Sequence, residues 1–350
     1  MRYSSFCVSR AVAALCALAL CAGHFTSLAD DQPSGPSGYK LAATWKPGGE
    51  GRWDYLTVDP AAGRLYIARE NRIQVLDAST GALVGEVPGL NGAHGVALVP
   101  GVNRGFASSG KDGKVIVFDL ATLKPIGDPI PAGTKPDAIV FDSKSDRVFA
   151  MNGGSHDVTV IDPAAAKVVG NIPLPGAPEF AAPDRAGHLF VNLEDKSQTV
   201  AIDVQGMKVE QVWRLAPGDS PTGLAIDAAA HHLFAGCANK HLMVLDDTTG
   251  KAVADLPIGE HVDATAFDPG TGYAFSSNGD GTLTIATADA SGQFKVLDTV
   301  KTKPGARTMA LDTKTHAVFL CTSDFGPADE SSHGRPKPLP GTFVVLKFTR

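Results

Sequence analysis

The chain repeats itself from residue 54 to near its end, and this constrains its fold more than any other feature. A short apolar run closing on an acid recurs as DYLTVD (54–59), DAIVFD (137–142), EFAAPD (179–184), TGLAID (222–227), DATAFD (263–268) and RTMALD (307–312). HGVALV (94–99) fits the series with Val99 in the acid's place. The closing positions 59, 99, 142, 184, 227, 268 and 312 are spaced by 40, 43, 42, 43, 41 and 44 residues. Six or seven residues after each stands an aromatic: Tyr66, Phe106, Phe149, Phe190, Phe234, Phe275 and Phe319. Beyond it a VxVxD-like run ends in Asp77, Asp119, Asp162, Asp203 or Asp246, followed by a turn and another apolar run.

Each unit reads as four short strands, with Val, Ile, Phe and Leu clustered between Gly, Pro, Asp and Asn. The Asp closing the third strand suits the first position of a tight turn, where its carboxylate accepts backbone N–H groups. No segment after the N-terminal stretch keeps a helical period. Four strands in about 42 residues is the size of a propeller blade, and seven units make seven blades. The expected fold class is all-β: a seven-bladed β-propeller of four-stranded blades. Radial stacking lets residues 39–350 form one domain, since each blade packs only on its neighbours.

The last unit has strands at 307–312, 317–321 and 342–348 and lacks a fourth. The segment YKLAATWK (39–46) precedes the first unit and reads as a spare strand. The expectation is that it pairs onto the last blade as its outer strand, closing the ring and removing an open edge.

The unit PDAIVFDSKSDRVFAMNGGSHDVTVIDPAAAKVVGNIPL (136–174) resembles the YVTN, or YncE-like, β-propeller family. No Trp-Asp closes its third strand, as in the WD40 type. The resemblance spans about residues 39–350 and implies architecture. The family's repeat residues are structural, so it supplies no catalytic motif. It implies binding of a nucleic acid, a metal or a protein in some members.

Residues 1–29 are a different text. Arg2 and Arg10 form a basic start, AVAALCALALCA (11–22) is an apolar run too short to span a bilayer, and SLA (27–29) offers small residues before Asp30. This reads as a secretory signal peptide cleaved near Ala29, and places the protein in the periplasm or outside the cell. A lipid anchor at Cys21 is the weaker alternative, because Leu20 stands where a small residue is expected. Residues 30–38 read as a flexible linker. No transmembrane segment is expected after signal removal, and a monomer is expected.

Cleavage at Ala29 removes Arg2 and Arg10 and no acid, leaving 29 basic against 37 acidic residues, a net of −8. Such a balance disfavours nucleic acid as a partner, since phosphate backbones need a basic patch. Lys111, Lys114, Lys196 and Lys240 are the residues a single-stranded nucleic-acid reading would use. Cys237 and Cys321 remain after the signal. They fall in blades five and seven, too far apart for a disulfide.

Residues at the start of each inner strand ring the mouth of the central channel in a propeller. Here they are Asp54, His94, Asp137, Glu179, Thr222, Asp263 and Arg307. Convergent carboxylates interrupted by His94 and Arg307 would both attract and orient a ligand, although a solvated rim is polar without any function. The link between the second and third strands of blade seven, TSDFGPADESSHGRPKPLPG (322–341), is far longer than its counterparts. With Asp324, Asp329, Glu330, His333 and Arg335, it reads as a rim or lid on the same face, or else as a disordered loop. His188 and His232 occupy a repeat position on the opposite face, with His231 and His316 beside it. His156, His241 and His261 lie in loops that could reach the rim.

No C-x-x-C-H, H-E-x-x-H or G-x-S-x-G motif is present, and GGEGRWD (48–54) lacks the dinucleotide-loop order. NGDGT (278–282) lacks the remaining ligands of a calcium loop. No cofactor is evident; a bound metal ion is compatible with the mouth. The reading that follows is an exported, non-catalytic binding scaffold holding a small molecule, metal ion or protein partner at the channel mouth. An enzyme is the alternative, a lactonase-like hydrolase with Glu179, Asp137, His94 and Arg307 as base and clamp.

Overall fold

The computed structural model describes residues 1, 35–327 and 336–350. Seven four-stranded antiparallel sheets form the blades of a β-propeller. The inner strands are Leu56–Asp59, Ala93–Val99, Pro136–Asp142, Pro178–Pro183, Pro221–Asp227, Val262–Asp268 and Met309–Asp312. Each packs on the inner strand of the next blade, and the seventh packs on the first, so the ring is closed. The seven repeat aromatics are the third residues of the second strands and are buried to 2 % exposure or less. They fill the wedges between blades, where no small side chain would reach native packing density.

Aspartates set the blade turns. Asp59 accepts the N–H groups of Ala61 and Ala62, and Asp142, Asp227 and Asp312 repeat the pattern two and three residues on. At the third-strand turns, Asp77, Asp119, Asp162 and Asp246 do the same. The Ser79 hydroxyl, with the Thr80 amide and hydroxyl, pushes the Asp77 carboxyl down to about 2.

The ring closes through its N-terminal strand, as expected. Lys40–Trp45 pairs antiparallel with Val344–Thr349 and is the outer strand of blade seven, whose order outward is Met309–Asp312, Ala317–Thr322, Val344–Thr349, Lys40–Trp45. Tyr39 is buried, its ring edge-on to Phe275 and its hydroxyl donating to the His316 carbonyl at 2.7 Å. The closure begins earlier than the linker reading put it. Ser37 is buried, and its amide and hydroxyl both donate to Asp298 of blade six. Residues 1–29, the linker residues 30–34 and Cys21 lie outside the described residues, apart from Met1. Among the described residues no helix is long and apolar enough to cross a membrane. Cys237 and Cys321 are both buried and free.

One local feature positions the site. In blades two to five the inner strand opens with a β-bulge. Ala93 pairs with Ser109 and Val96 with Ala107, so His94 and Gly95 together face the single residue Ser108. Asp137 with Ala138, Glu179 with Phe180 and Thr222 with Gly223 are bulged alike, and Asp263 is the extra residue of a register shift in blade six. A bulge frees a residue from the regular alternation and re-aims its side chain, here at the channel mouth.

Candidate functional site

The residue facing each bulge lies fifth along the second strand, and several of these stitch neighbouring blades together. The Ser108 hydroxyl donates to the Asp137 carbonyl, the Asn192 amide to the carbonyls of Thr222 and Gly223, and the Ser277 hydroxyl to the Arg307 carbonyl. On the blade-one side, the Tyr55 amide donates to the His94 carbonyl at 3.0 Å. Thr222 is used in the same way, its hydroxyl donating to the Val262 carbonyl. The mouth residues are therefore set by hydrogen bonds between blades, which fix side chains from different strands against one another.

Of the sequence-derived positions, Asp54, His94, Asp137, Glu179, Asp263 and Arg307 share interactions at one opening. His94 Nδ1 lies 2.5 Å from Asp54 Oδ2 and 3.4 Å from Asp137 Oδ1. Arg307 Nε lies 3.1 Å from Asp263 Oδ2. Burial pushes the Asp137 carboxyl up to about 6, with the Asp54 charge adding to it. Burial pushes Asp263 up to about 7, against the pull of Arg307. Glu179 is raised well above the usual carboxylate range by burial and by the charges of Asp137 and Asp263. Burial by itself would lower His94, but the hydrogen bond to Asp54 and the charge of Asp137 outweigh it and raise its pKa.

Tyr55 has no counterpart in the sequence-derived set. It leaves blade one, yet its hydroxyl donates to Glu179 Oε1 of blade four at 3.2 Å, and its ring lies 5.1 Å from that of Phe180. It therefore crosses the channel and gives the mouth a floor. Burial, with Glu179 and the other mouth acids, raises its phenol well above its ordinary value. Glu194 and Lys135 also act on the mouth carboxylates and were not picked out in the sequence. The only signal for Tyr55 was its place beside Asp54. Glu194 sits in the short loop after the second strand of blade four, at the height where the bulges lie.

The blade-seven insertion packs beside the mouth at its two ends. Phe325 bridges Pro338, and the Gly326 and Leu339 amides donate across to the carbonyls of Lys337 and Asp324. The Trp53 ring lies 6.0 Å from that of Phe325 and 5.4 Å from that of Phe343. Beside this stem is a cavity of about 220 Å³ lined by Gly51, Arg69, Ser323, Lys337 and Phe343 among others. Arg69 is fully buried there, its guanidinium 3.6 Å above the Phe343 ring and donating to the carbonyls of Gly49, Glu50 and Gly51. Asp324 is engaged by Lys303 at 2.7 Å. Asp329, Glu330, His333 and Arg335 lie outside the described residues.

Four other histidines pair with carboxylates: His188 with Asp184 and Glu210, His231 with Asp247, His241 with Asp255 and His316 with Asp268. Of the lysines a nucleic-acid reading would use, Lys111, Lys196 and Lys240 face Glu70, Asp195 and Glu260.

Fold and site together define a seven-bladed β-propeller with a floored, carboxylate-rich mouth. No family model matches the chain, and no curated protein matches it, so the resemblance to the YVTN family stands on the repeat residues alone. Among solved structures it is similar to Kuenenia stuttgartiensis hydrazine synthase, with a TM-score of 0.68, 15% identity, and coverage of 84% of this chain and 94% of that one. At that identity the likeness shows the propeller fold alone.

Proposed function

We propose that this is an exported binding protein whose channel mouth captures a positively charged ligand or the cationic end of a small molecule. The observation that carries the reading is the convergence of Asp54, Asp137, Glu179 and Asp263, from four blades, over a floor made by Tyr55. Crowded, largely buried carboxylates raise one another's pKa, and a cation entering among them relieves that repulsion. Arg307 and His94 break the acidic ring on either side of Asp54, so an anionic group on the same ligand would be held at a defined edge. The docked stem of the blade-seven insertion walls that edge. Export is supported by Arg2, Arg10, the apolar run 11–22 and the small residues 27–29.

Native mass spectrometry of the protein purified from its own cells tests the reading. An adduct is expected on the wild type and absent from the Asp137→Asn, Glu179→Gln double variant. The same adduct on both proteins would place the binding surface elsewhere.

A further inference from the structure

Within this mouth, we infer that Asp54, His94 and Asp137 form a binding site for one divalent transition-metal ion. The inference rests on the mouth being the binding surface. Three donor atoms, one from each of these side chains, lie within 4.8 Å of one another, and among the described residues no other such group occurs. Ligands bonded at about 2.0–2.2 Å to one ion stand roughly 3.0–3.4 Å apart; the 3.4 Å contact of His94 with Asp137 already matches, and the 2.5 Å contact with Asp54 would open by about half an ångström as its shared proton leaves.

The donors come from three different blades and are fixed from outside the cluster. The Tyr55 amide ties the Asp54 segment to the His94 carbonyl, and the Ser108 hydroxyl ties blade two to the Asp137 carbonyl. The imidazole is held from behind: a Cβ on Gly110 would lie 2.7 Å from His94 Nε2 and Cδ2. The glycine lets the ring's far edge lie against the backbone, which leaves Nδ1 facing both carboxylates. That arrangement leaves the two carboxylates unequally served. Nδ1 carries a single proton and sits closer to Asp54, so Asp137 faces another carboxylate across the imidazole with only a long contact to it. A divalent ion in place of that proton satisfies all three donors at once.

The donor set decides the class of ion. One imidazole and two carboxylates suit Mn²⁺, Fe²⁺, Co²⁺ or Zn²⁺, whereas Cu⁺ favours thiolate and thioether ligands. Three protein ligands leave coordination positions open to the mouth, so a small-molecule ligand could complete the shell. Arg307, on the neighbouring blade, has only Nε engaged among the described residues and is half exposed. It stands where an anionic group bound to the ion would be met.

The test uses the full mature chain stripped with EDTA and titrated with Mn²⁺ and with Zn²⁺ in a calorimeter, with metal counted after desalting. One ion per chain is expected. His94→Ala and Asp54→Asn should each weaken binding about tenfold or more. His231→Ala, whose ring pairs with Asp247 away from the mouth, should leave the affinity for the bare ion within about twofold. The Mn²⁺ form should show electron spin echo modulation from one imidazole nitrogen, which needs no variant to fold. No bound ion, or an ion without nitrogen modulation whose affinity His94→Ala leaves unchanged, would overturn the site. The charged-ligand reading would then still be judged separately by the mass of the purified protein and its Asp137→Asn, Glu179→Gln variant.

Discussion

Burial and the neighbouring acids hold Glu179 well above the usual carboxylate range, and its titration gives a sharp test. Asp137, Asp263, Asp54 and Glu194 face it with negative charge, the Tyr55 hydroxyl donates to it, and Arg307 is the nearby cation. An acid whose folded pKa is raised binds its proton more tightly folded than unfolded. Stability is therefore lost as pH rises above the ordinary Glu value of about 4.3 towards the folded value. Glu179→Gln keeps the hydrogen bond to Tyr55 and removes that loss. Its melting temperature should equal the wild type's at pH 4 and exceed it by about 2 °C or more at pH 8. A variant less stable at pH 8 would mean that Glu179 is ionised and well paired. Gly110 supplies a second residue-level prediction. Gly110→Ala must displace the His94 ring, so it should weaken Mn²⁺ binding about tenfold or more with the fold retained in the circular dichroism spectrum. Retained affinity would show that the ring is not held from that side. The ring positions were legible because every unit starts its inner strand in register with the others. Tyr55 and Gly110 were not, since their roles depend on reach across the channel and on backbone approach, which leave no period in the sequence.

Strands and their connections explain both what was legible and what was hidden. Apolar runs, turn aspartates and the repeat aromatics announce four strands per unit, and the missing fourth strand of the last unit announced the clasp. The bulges were hidden, because two residues facing one is a property of pairing and not of composition. Deleting residues 30–46 from the mature chain would remove the buried Tyr39 and the Trp45 ring, which lies 5.8 Å from that of Phe319. It would also bare the edge of the strand Val344–Thr349. The melting temperature should fall by roughly 10 °C or more, and self-association should appear in light scattering. An unchanged melt together with an unchanged monomer would show that the clasp contributes nothing. The free cysteines belong to second strands two blades apart. Burial pushes the Cys237 thiol up to about 12 and raises Cys321 as well, so neither should react with a thiol reagent in the native protein. After denaturation of the mature chain (residues 30–350) without reductant, two thiols should titrate; none would reveal a bond between them.

At the scale of the molecule, sevenfold repetition builds a rigid frame and the breaks in repetition build the site. Blades one to seven supply the same backbone position, but Asp, His, Asp, Glu, Thr, Asp and Arg in turn, so a symmetric scaffold carries an asymmetric mouth. Tyr55 spans that mouth from blade one to Glu179 and Phe180 of blade four. Charge agrees with the reading, since an acidic protein draws cations towards an opening lined by its own carboxylates. The most direct measurement of this account is a crystal structure of the protein isolated from its own cells without denaturation or chelators. It should show non-protein density in the mouth, within hydrogen-bond or coordination distance of Asp137 or Glu179. A mouth filled only with water, while a co-purified species occupies another surface, would contradict it.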